Sequence, residues 1–408
     1  MLGKPPPPSA PPTELGRLQV LSPTTAGIRV SPLAFGGGNI GNAWSKAWGQ
    51  MTKERAFELL DAFFQAGGNF IDTANYYQDG ESEVWLGEWI STRKIRDQLV
   101  IATKYTCDYG LHDATGTVSQ NQQHGGGQQQ QQQAFGRTAN HGGNHRRSLH
   151  VSVRDSLLKL QTDYIDILYL HWWEYATSIE EVMDSLHLLV QQGKILYLGV
   201  SDTPAWVVSA ANTYARSHGK TQFSVYSGKW NLLARDLERE ILPMARAFGM
   251  ALAPWGVVGN GKFQSRAAVE ARRREGQTLR SFRNQGAQSE AELRASDALA
   301  AVAAEHGDKC SVAQVALAYV VLRARRLGVF NVFPVIGVRT LDQLRDNVGA
   351  LTVRLTDEQV ASLESVASFE PIFPYDMIGE DPRTTGVTPR MVADGCFLSF
   401  PGAGSGRQ

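Results

Sequence analysis

The chain has 408 residues, and 42% of them are hydrophobic, which is enough to bury a large core as one barrel or two smaller domains. Its 40 basic and 40 acidic residues give a formal net charge of +0, so no overall charge attracts nucleic acid or an anionic membrane. We therefore expect a small-molecule partner. The oligomeric state stays open.

The cysteines and the N-terminus indicate an intracellular protein. Cys107, Cys310 and Cys396 are odd in number and widely spaced, so neither a disulfide framework nor a zinc site is predicted. Residues 1–24 begin with a proline run and lack the apolar core of a secretory signal, so we predict a disordered tail. No stretch offers the roughly 20 continuous apolar residues that cross a bilayer. The expected location is the cytoplasm.

Eight short, apolar strand candidates follow one another, separated by segments with helical periodicity. They are 28–36, 69–74, 99–104, 164–171, 196–202, 222–228, 250–256 and 332–338. Nearly continuous apolar character is typical of parallel strands covered on both faces, and each intervening segment is long enough for a crossover helix. Eight strand–helix units predict an α/β fold, a closed (β/α)8 TIM barrel.

The helix after the second strand illustrates the pattern. Phe57, Leu60 and Phe63 return to one face at helical spacing. Thr52 is expected to cap the start of this helix, and Gly67 is expected to end it.

Residues 110–147 interrupt the barrel pattern. They are rich in Gln, Gly and Asn with little apolar content, so we predict a disordered insertion in the loop after strand three. Five histidines crowd this region: His112, His124, His141, His145 and His150. A metal site is the alternative interpretation, but flexible glycine and glutamine do not preorganise ligands, so we predict none. Residues 371–408 form a tail that packs over the barrel or extends from it.

Four ionisable groups come at or just after strand ends, where the chemistry of such a barrel gathers. Asp72 ends the second strand, Tyr77 lies on the loop after it, Lys104 ends the third strand and His171 the fourth. Each has a structural alternative: a carboxylate that caps a loop, a surface phenol, a solvated amine and a satisfied core histidine. Joint delivery of all four to one rim favours a proton-transfer site.

Five motifs, in the same order along the chain, resemble the aldo-keto reductases: DTANYYQDGESE, IATK, LYLHWW, GVSD and PVIGVRTLDQLRDN. The resemblance covers about residues 25–370, apart from the insertion. The segments LQTDYIDILYLHWWEY and VSDTPAWVVSAANTYA are similar to the fungal aryl-alcohol dehydrogenase and norsolorinic acid reductase branch. This resemblance implies an NADPH-dependent oxidoreductase for an aldehyde or ketone, aromatic or polyketide-derived, in fungal secondary metabolism.

The resemblance also implies that Asp72, Tyr77, Lys104 and His171 form the catalytic tetrad, with Tyr77 protonating the carbonyl oxygen. Lowering the pKa of a tyrosine from about 10 by ~2 units requires ~2.7 kcal/mol. One charge pair about 4 Å apart in an effective dielectric near 20 supplies roughly 4 kcal/mol, so one lysine suffices. Asp72 would keep Lys104 charged, and His171 would hold the carbonyl oxygen. Trp172 and Trp173 either line an aromatic pocket or pack in the loop.

The cofactor site has two sequence candidates. Gly36, Gly38 and Gly41 match the G-x-G-x-x-G dinucleotide pattern, but no helix opens directly after them and no acidic residue ends a second strand about 20 residues on. Gly337 and Arg339, by contrast, precede a predicted helix N-terminus, which favours a bound anion. Arg339 can add a bidentate contact to a phosphate, so we expect NADPH rather than NADH.

The resemblance assigns the adenosine end of the cofactor to the segment after strand eight and its nicotinamide end to strands five to seven. The residues it places at the cofactor are Asp72, Ser201, Asp202, Gln222, Pro254, Trp255, Gly256, Gly337, Arg339, Gln343 and Asn347. A solvated helix face is the alternative for Gln343 and Asn347.

Two positions depart from the family pattern. Asp202 stands where the family usually has Asn, so it can accept from a carboxamide but cannot donate to it. Leu252 replaces an aromatic that stacks on the nicotinamide, and it offers apolar contact alone. Two other functions stay open: an NADPH-binding regulatory subunit similar to potassium-channel β subunits, and NADP+-dependent oxidation of aryl alcohols as the normal direction.

Overall fold

The structure is a computed structural model that describes residues 9–109, 139–274, 288–307, 310–367 and 369–388. The strands in these ranges are β1 Gln19–Ser22, β2 Ala26–Val30, β3 Ala34–Gly36, β4 Phe70–Asp72, β5 Val100–Tyr105, β6 Ile165–Leu170, β7 Ile195–Ser201, β8 Phe223–Ser227, β9 Ala251–Leu252 and β10 Val335–Ile336. The helices are α1 Ser45–Trp48, α2 Lys53–Gln65, α3 Glu81–Arg93, α4 Arg146–Leu160, α5 Ile179–Gln191, α6 Ala205–Ser217, α7 Ile241–Phe248, α8 Arg266–Arg274, α9 Glu290–Glu305, α10 Val312–Arg326, α11 Leu341–Gly349, α12 Asp357–Ser365, α13 Tyr375–Ile378 and α14 Pro382–Thr385.

The main sheet is a parallel barrel. Its eight strands lie in the order β10-β3-β4-β5-β6-β7-β8-β9. The two ends of this order meet, because Leu252 of β9 forms a parallel bridge with Val332, just before β10. Leu252 also accepts a hydrogen bond from the backbone N–H of Phe333 at 2.8 Å. The predicted (β/α)8 TIM barrel is therefore confirmed.

The first predicted strand is in fact two strands. Its first part is β2, which pairs antiparallel with β1, whereas only β3 joins the barrel. Pro32 separates β2 from β3, and proline has no N–H for a strand ladder. The β1–β2 hairpin buries Leu21 and Val30 against the barrel interior beside Phe70, the first residue of β4. The hairpin therefore closes the amino-terminal end of the barrel and leaves the opposite rim open.

The predicted N-terminal tail of residues 1–24 is too long. Leu15 is fully buried in the main core, and β1 lies inside the predicted tail. Thr13 anchors this region because its hydroxyl donates to the backbone oxygen of Ala66 at 2.7 Å. The sequence signal for β1 was weak, because the strand is four residues long and holds only two apolar residues, Val20 and Leu21. Residues 1–8 lie outside the described residues.

Helix α2 confirms the pattern that its sequence predicted. The hydroxyl of Thr52 accepts a hydrogen bond from the backbone N–H of Arg55 at 3.2 Å and caps the helix. Leu60 and Phe63 are fully buried, whereas Phe57 is only partly buried against the core. The helix ends at Gln65, and Gly67 follows with a positive φ of 99°.

The predicted insertion, residues 110–147, ends earlier than expected. Residues 110–138 lie outside the described part of the chain, but Asn144 is fully buried. Its amide Nδ2 donates to Oγ1 of Thr106 and to the backbone oxygen of Trp172, both at 3.0 Å. A residue that bonds the ends of β5 and β6 belongs to the barrel, so the prediction of disorder is wrong for residues 139–147.

Residues 369–388, the last part of the chain that the structure describes, pack on the barrel exterior and include the first 18 residues of the predicted tail, 371–408. Asp381 forms an ion pair with Arg246 of α7. Phe369 lies under the guanidinium groups of Arg235 and Arg239, at 4.8 and 4.6 Å. The hydroxyl of Tyr375 donates to Glu240 at 2.7 Å. This segment therefore covers the outer face of the barrel around α7.

The close approach of α3 and α4 depends on Gly87. A Cβ at this position would lie 2.2 Å from the backbone oxygen of Lys159. We expect Gly87→Ala to lower the free energy of unfolding by about 1–3 kcal/mol, the range for overpacked cores, and to lower Tm in thermal denaturation. Gly27→Ala is the matched control, since no atom lies within 4 Å of a Cβ there. Equal Tm values for the two variants would contradict this packing.

Candidate active site

Four ionisable side chains meet at the open rim of the barrel. Asp72 is the last residue of β4, Lys104 lies near the end of β5, and His171 follows β6 directly. Tyr77 begins the turn between β4 and α3. All four line one cavity of about 1010 Å³. The structure therefore brings together the four residues on which the sequence prediction rested.

Lys104 and Asp72 form a buried ion pair. The ammonium Nζ lies 2.5 Å from Oδ1 of Asp72 and donates to the backbone oxygen of Thr73 at 2.7 Å. Burial raises the pKa of Asp72, and the ammonium of Lys104 opposes that rise. A charged pair out of water is stable only with good geometry and further hydrogen bonds, and Thr73 supplies one of them.

The phenol of Tyr77 lies beside this ion pair. Nζ of Lys104 is 4.9 Å from the centre of the Tyr77 ring, and the rings of Tyr77 and His171 are 5.8 Å apart. The turn is held by Gln78, which has a positive φ of 53°. Its amide donates to the backbone oxygen of Gly38 at 2.8 Å. The loop that follows β3, which contains Gly38, thereby fixes the position of the Tyr77 phenol.

His171 is a buried, neutral imidazole. Burial lowers its pKa well below the usual value, and the positive charge of Lys104 lowers it further. Its backbone N–H donates to the backbone oxygen of Tyr105 at 3.2 Å, which continues the β5–β6 pairing. A neutral imidazole carries one ring proton, so it can offer one N–H donor to a ligand in the cavity.

Aromatic rings surround this group. The ring of Tyr76 lies 5.5 Å from that of His171, 6.3 Å from Trp172 and 5.4 Å from Trp44. Tyr76 and Trp172 line the cavity. Trp173 lies partly buried against the main core, so the packing alternative holds for this residue. The rim is therefore shaped for flat, apolar groups.

A second carboxylate lines the cavity beside the ion pair. Ser201 ends β7, and Asp202 follows with a positive φ of 41°. A carboxylate oxygen of Asp202 accepts a hydrogen bond from Nε1 of Trp255 at 3.3 Å. The side chain is exposed to the open cavity, yet the surrounding protein raises the pKa of Asp202 to about 6, against the opposing effects of Trp255 and Lys104.

Gln222 does not join the other predicted cofactor residues. It precedes β8, at the end of the strand opposite to the rim, whereas Ser227 ends β8 and lines the cavity with Lys229. The sequence interpretation took the first residue of the strand for a functional end. Strand polarity was the signal that could have found Ser227, since ligands gather at the carboxyl ends.

Two residues near β9 lie behind the cavity wall. Leu252 is buried and pairs with Tyr226 of β8, and Pro254 is buried in the same segment. Neither is among the described residues that line the cavity, whereas Trp255 and Gly256 are. Leu252 therefore does not replace a stacking aromatic at the cavity surface.

The other end of the cavity is formed by the N-terminus of α11. Gly337, Arg339, Gln343 and Asn347, the predicted residues of the adenosine end, all line it. Thr340 caps α11, because its hydroxyl accepts from the backbone N–H of Gln343 at 3.2 Å. The guanidinium of Arg339 donates to the backbone oxygen of Trp48 at 2.5 Å. The first loop and α11 thus enclose a cationic group beside a capped helix start, a favourable place for an anion.

The described residues give no sign of a metal centre or a membrane span. Within those ranges, no cluster of three or more His, Cys, Asp or Glu could hold a metal ion. His112 and His124 lie outside them, whereas His145 is described and caps α4 through Nδ1. No described helix has the length and apolar character needed to cross a bilayer.

The barrel fold and the similarity of the sequence to known proteins define the class of protein. The profile of the aldo/keto reductase family matches residues 32–368, so the chain belongs to this family. It is an oxidoreductase that acts on carbonyl or alcohol groups. The resemblance drawn from the five sequence motifs is confirmed.

The relatives place the chain in one branch of that family. The Saccharomyces cerevisiae protein AAD14, whose name assigns it provisionally to the aryl-alcohol dehydrogenases, is 60% identical over 92% of this chain and 93% of its own length. Norsolorinic acid reductase stcV of Emericella nidulans is 47% identical over 93% of this chain and 88% of its own length. An NADP(+) aryl-alcohol dehydrogenase of Phanerodontia chrysosporium is 46% identical over 91% of this chain and 91% of its own length.

The raised pKa of Asp202 predicts a pH-dependent stability difference. A carboxyl group with a pKa near 6 when folded and about 3.8 when unfolded binds a proton more tightly in the folded state. Its contribution to stability is present below pH 4 and is lost as the pH rises through 6. Thermal denaturation should therefore show that Asp202→Asn gains Tm over wild type as the pH rises from 4 to 6.5. A constant difference would refute the assigned pKa.

Proposed function

We propose that the protein reduces an aldehyde or ketone to the alcohol with NADPH, and that Tyr77 donates the proton to the carbonyl oxygen. The observation that carries this proposal is the meeting of Tyr77, Lys104, Asp72 and His171 on one cavity wall. The family matched by the chain contains oxidoreductases for this pair of functional groups.

The proton transfer follows from the charges around Tyr77. A phenol is a poor acid near neutral pH, and a nearby ammonium stabilises the phenolate that forms when the proton leaves. Lys104 lies on the face of the Tyr77 ring and is held there by Asp72 and by the backbone oxygen of Thr73. The geometry of this pair therefore favours proton release from Tyr77 to an adjacent oxygen.

His171 orients the substrate. A carbonyl oxygen can only accept hydrogen bonds, so a neutral imidazole serves it through its single N–H. The low pKa of His171 keeps the imidazole neutral at pH 7. Tyr77 and His171 would then hold the same oxygen from two sides, which aligns the carbonyl carbon for reaction.

The cavity fits a dinucleotide. Its volume is about 1010 Å³, and its lining includes Asp202 at the end of β7, Arg339 at the start of α11 and small residues such as Ala303 and Gly307. Oδ2 of Asp72 is buried at the cavity without a hydrogen-bond partner among the described residues, so a polar group is expected there. When bound, NADPH would supply the hydride. We propose that Arg339, Gln343 and Asn347 hold its adenosine end.

The nicotinamide end would lie between Ser201, Asp202 and the tetrad. Trp255 and Gly256 line the same region of the cavity, and Ser227 lies at the end of the neighbouring strand. Pro254 would act by shaping this turn from behind. A carboxylate oxygen of Asp202 can accept a hydrogen bond from the carboxamide NH2 of the nicotinamide, and we assign this role to Asp202.

The substrate that we propose is aromatic. Tyr76, Trp172 and Trp44 place rings around the reactive group, and flat aromatic substrates gain from stacked or edge contacts with such rings. The names of two relatives, norsolorinic acid reductase and NADP(+) aryl-alcohol dehydrogenase, support this substrate class and the nucleotide. The latter name also favours alcohol oxidation with NADP+, in which Tyr77 would accept the proton.

The phenol of Tyr77 can be tested directly. We expect Tyr77→Phe to lower kcat with a benzaldehyde-type substrate by about 10²- to 10⁴-fold, the usual contribution of a positioned acid. The Kd for NADPH, measured by fluorescence titration, should stay unchanged. Tyr175→Phe serves as a control because Tyr175 is 70% exposed. Equal rates in wild type and Tyr77→Phe would reject this role.

The phosphate contact assigned to Arg339 predicts cofactor selectivity. In Arg339→Ala, the loss of one charge-assisted contact of about 1.5–3 kcal/mol should raise the Kd for NADPH by roughly 10- to 100-fold. NADH, which lacks the 2′-phosphate, should lose much less affinity in the same titration. Arg345→Ala is the matched control, since Arg345 lies on α11 with its side chain 73% exposed. Equal losses for both nucleotides would indicate a structural role.

A further inference from the structure

Cys107 lies against the imidazole of His171. Its Sγ is 3.3 Å from Nδ1 of His171, and both residues are buried, with exposures of 4% and 6%. Neither composition nor motif singled out Cys107 as a functional residue. This contact gives Nδ1 of His171 a hydrogen-bond partner among the described residues.

The backbone is strained at Thr106, the residue before Cys107. Thr106 has a φ of 108°, a conformation that a β-branched residue rarely adopts. Its neighbours hold it there, because Oγ1 accepts from Nδ2 of Asn144 at 3.0 Å and from the backbone N–H of His171 at 3.3 Å. Its backbone oxygen accepts from the N–H of Gly143 at 2.7 Å. Strain of this kind persists where the surroundings over-determine a conformation, and it gathers at functional sites.

The protonation states of the two groups agree with donation from sulfur. Burial raises the pKa of the Cys107 thiol, so it keeps its proton at neutral pH. Burial and Lys104 keep His171 neutral, with one proton shared between two ring nitrogens. A thiol that donates to Nδ1 requires this nitrogen to be the acceptor, which leaves the proton on Nε2.

The tautomer matters for the reaction. Because Nδ1 faces Cys107, Nε2 is the nitrogen left for the cavity that His171 lines. A carbonyl oxygen accepts hydrogen bonds, so Nε2 must carry a proton to hold it. The other tautomer would turn a lone pair toward the oxygen and repel it.

We propose that Cys107 is a positioning residue, whose thiol donates to Nδ1 of His171 and fixes the imidazole in the tautomer with its proton on Nε2. This inference rests on the proposed role of His171 in holding the carbonyl oxygen. Lys104, Tyr76 and Tyr77 also face the imidazole among the described residues, and the thiol of Cys107 lies at hydrogen-bond distance from Nδ1.

Three substitutions at position 107 separate donation from packing. Cys107→Ser keeps a donor, Cys107→Ala removes it and leaves space, and Cys107→Val removes it and fills the space. We expect Cys107→Ala and Cys107→Val to lower kcat about 3- to 10-fold, the range for one lost hydrogen bond, and Cys107→Ser to stay near wild type. The Kd for NADPH should be the same in all four proteins. If Cys107→Val kept the wild-type kcat and Cys107→Ser did not, Cys107 would only fill space.

Nitrogen-15 NMR of histidine-labelled protein gives a readout that is independent of turnover. The imidazole signals of His171, assigned by their loss in His171→Gln, should show a protonated Nε2 and an accepting Nδ1 in wild type and Cys107→Ser. Cys107→Ala should show a mixed or inverted tautomer. A protonated Nδ1 in wild type, or an unchanged tautomer in Cys107→Ala, would overturn the inference. Full activity of Tyr77→Phe would instead overturn the proposed function and leave the tautomer result standing.

Discussion

The buried ion pair between Lys104 and Asp72 is the interaction on which the site depends. It follows from strand register, because β4 and β5 pair in parallel with Asp72 opposite Ala102. Lys104 lies two residues beyond Ala102 and so faces the same side of the sheet. A shift of one residue between these strands would turn the amine away from the carboxylate. The sheet opposes this shift, since β4 and β5 each pair with a strand on both sides.

The single charge of Lys104 acts on three neighbours in different ways. It opposes the rise in pKa of Asp72, it lowers the pKa of His171, and it lies over the face of Tyr77. In the proposed mechanism the ammonium thereby favours a phenolate and disfavours an imidazolium. The two groups that would touch the carbonyl oxygen are thus set to different tasks, one as acid and one as neutral donor.

Much of the fold and of the candidate site was predictable from the sequence, since parallel strands deliver their carboxyl ends to one rim. Asp72, Lys104 and His171 each stand at a strand end, so their convergence followed from strand order. Gln222 was misplaced because it precedes β8, whereas ligands gather at the carboxyl end of the strand, where Ser227 lies. The contact of Cys107 with His171 had no sequence signal, since it depends on an unusual backbone angle at Thr106.

Gly143 and Asn144 both bind Thr106, directly after β5, and so hold the chain beside the reactive groups. The described chain stops at Tyr109 and resumes at residue 139, and a Cβ at Gly142 would lie 3.1 Å from the backbone nitrogen of Asp108. The described residues on the two sides of this gap are therefore neighbours. The entropy of closing a loop between fixed points grows only with the logarithm of its length, about 0.6 kcal/mol for each doubling. By this scaling, a different number of residues between positions 109 and 139 would change the free energy of closure little, while the contacts of Gly143 and Asn144 would keep their geometry.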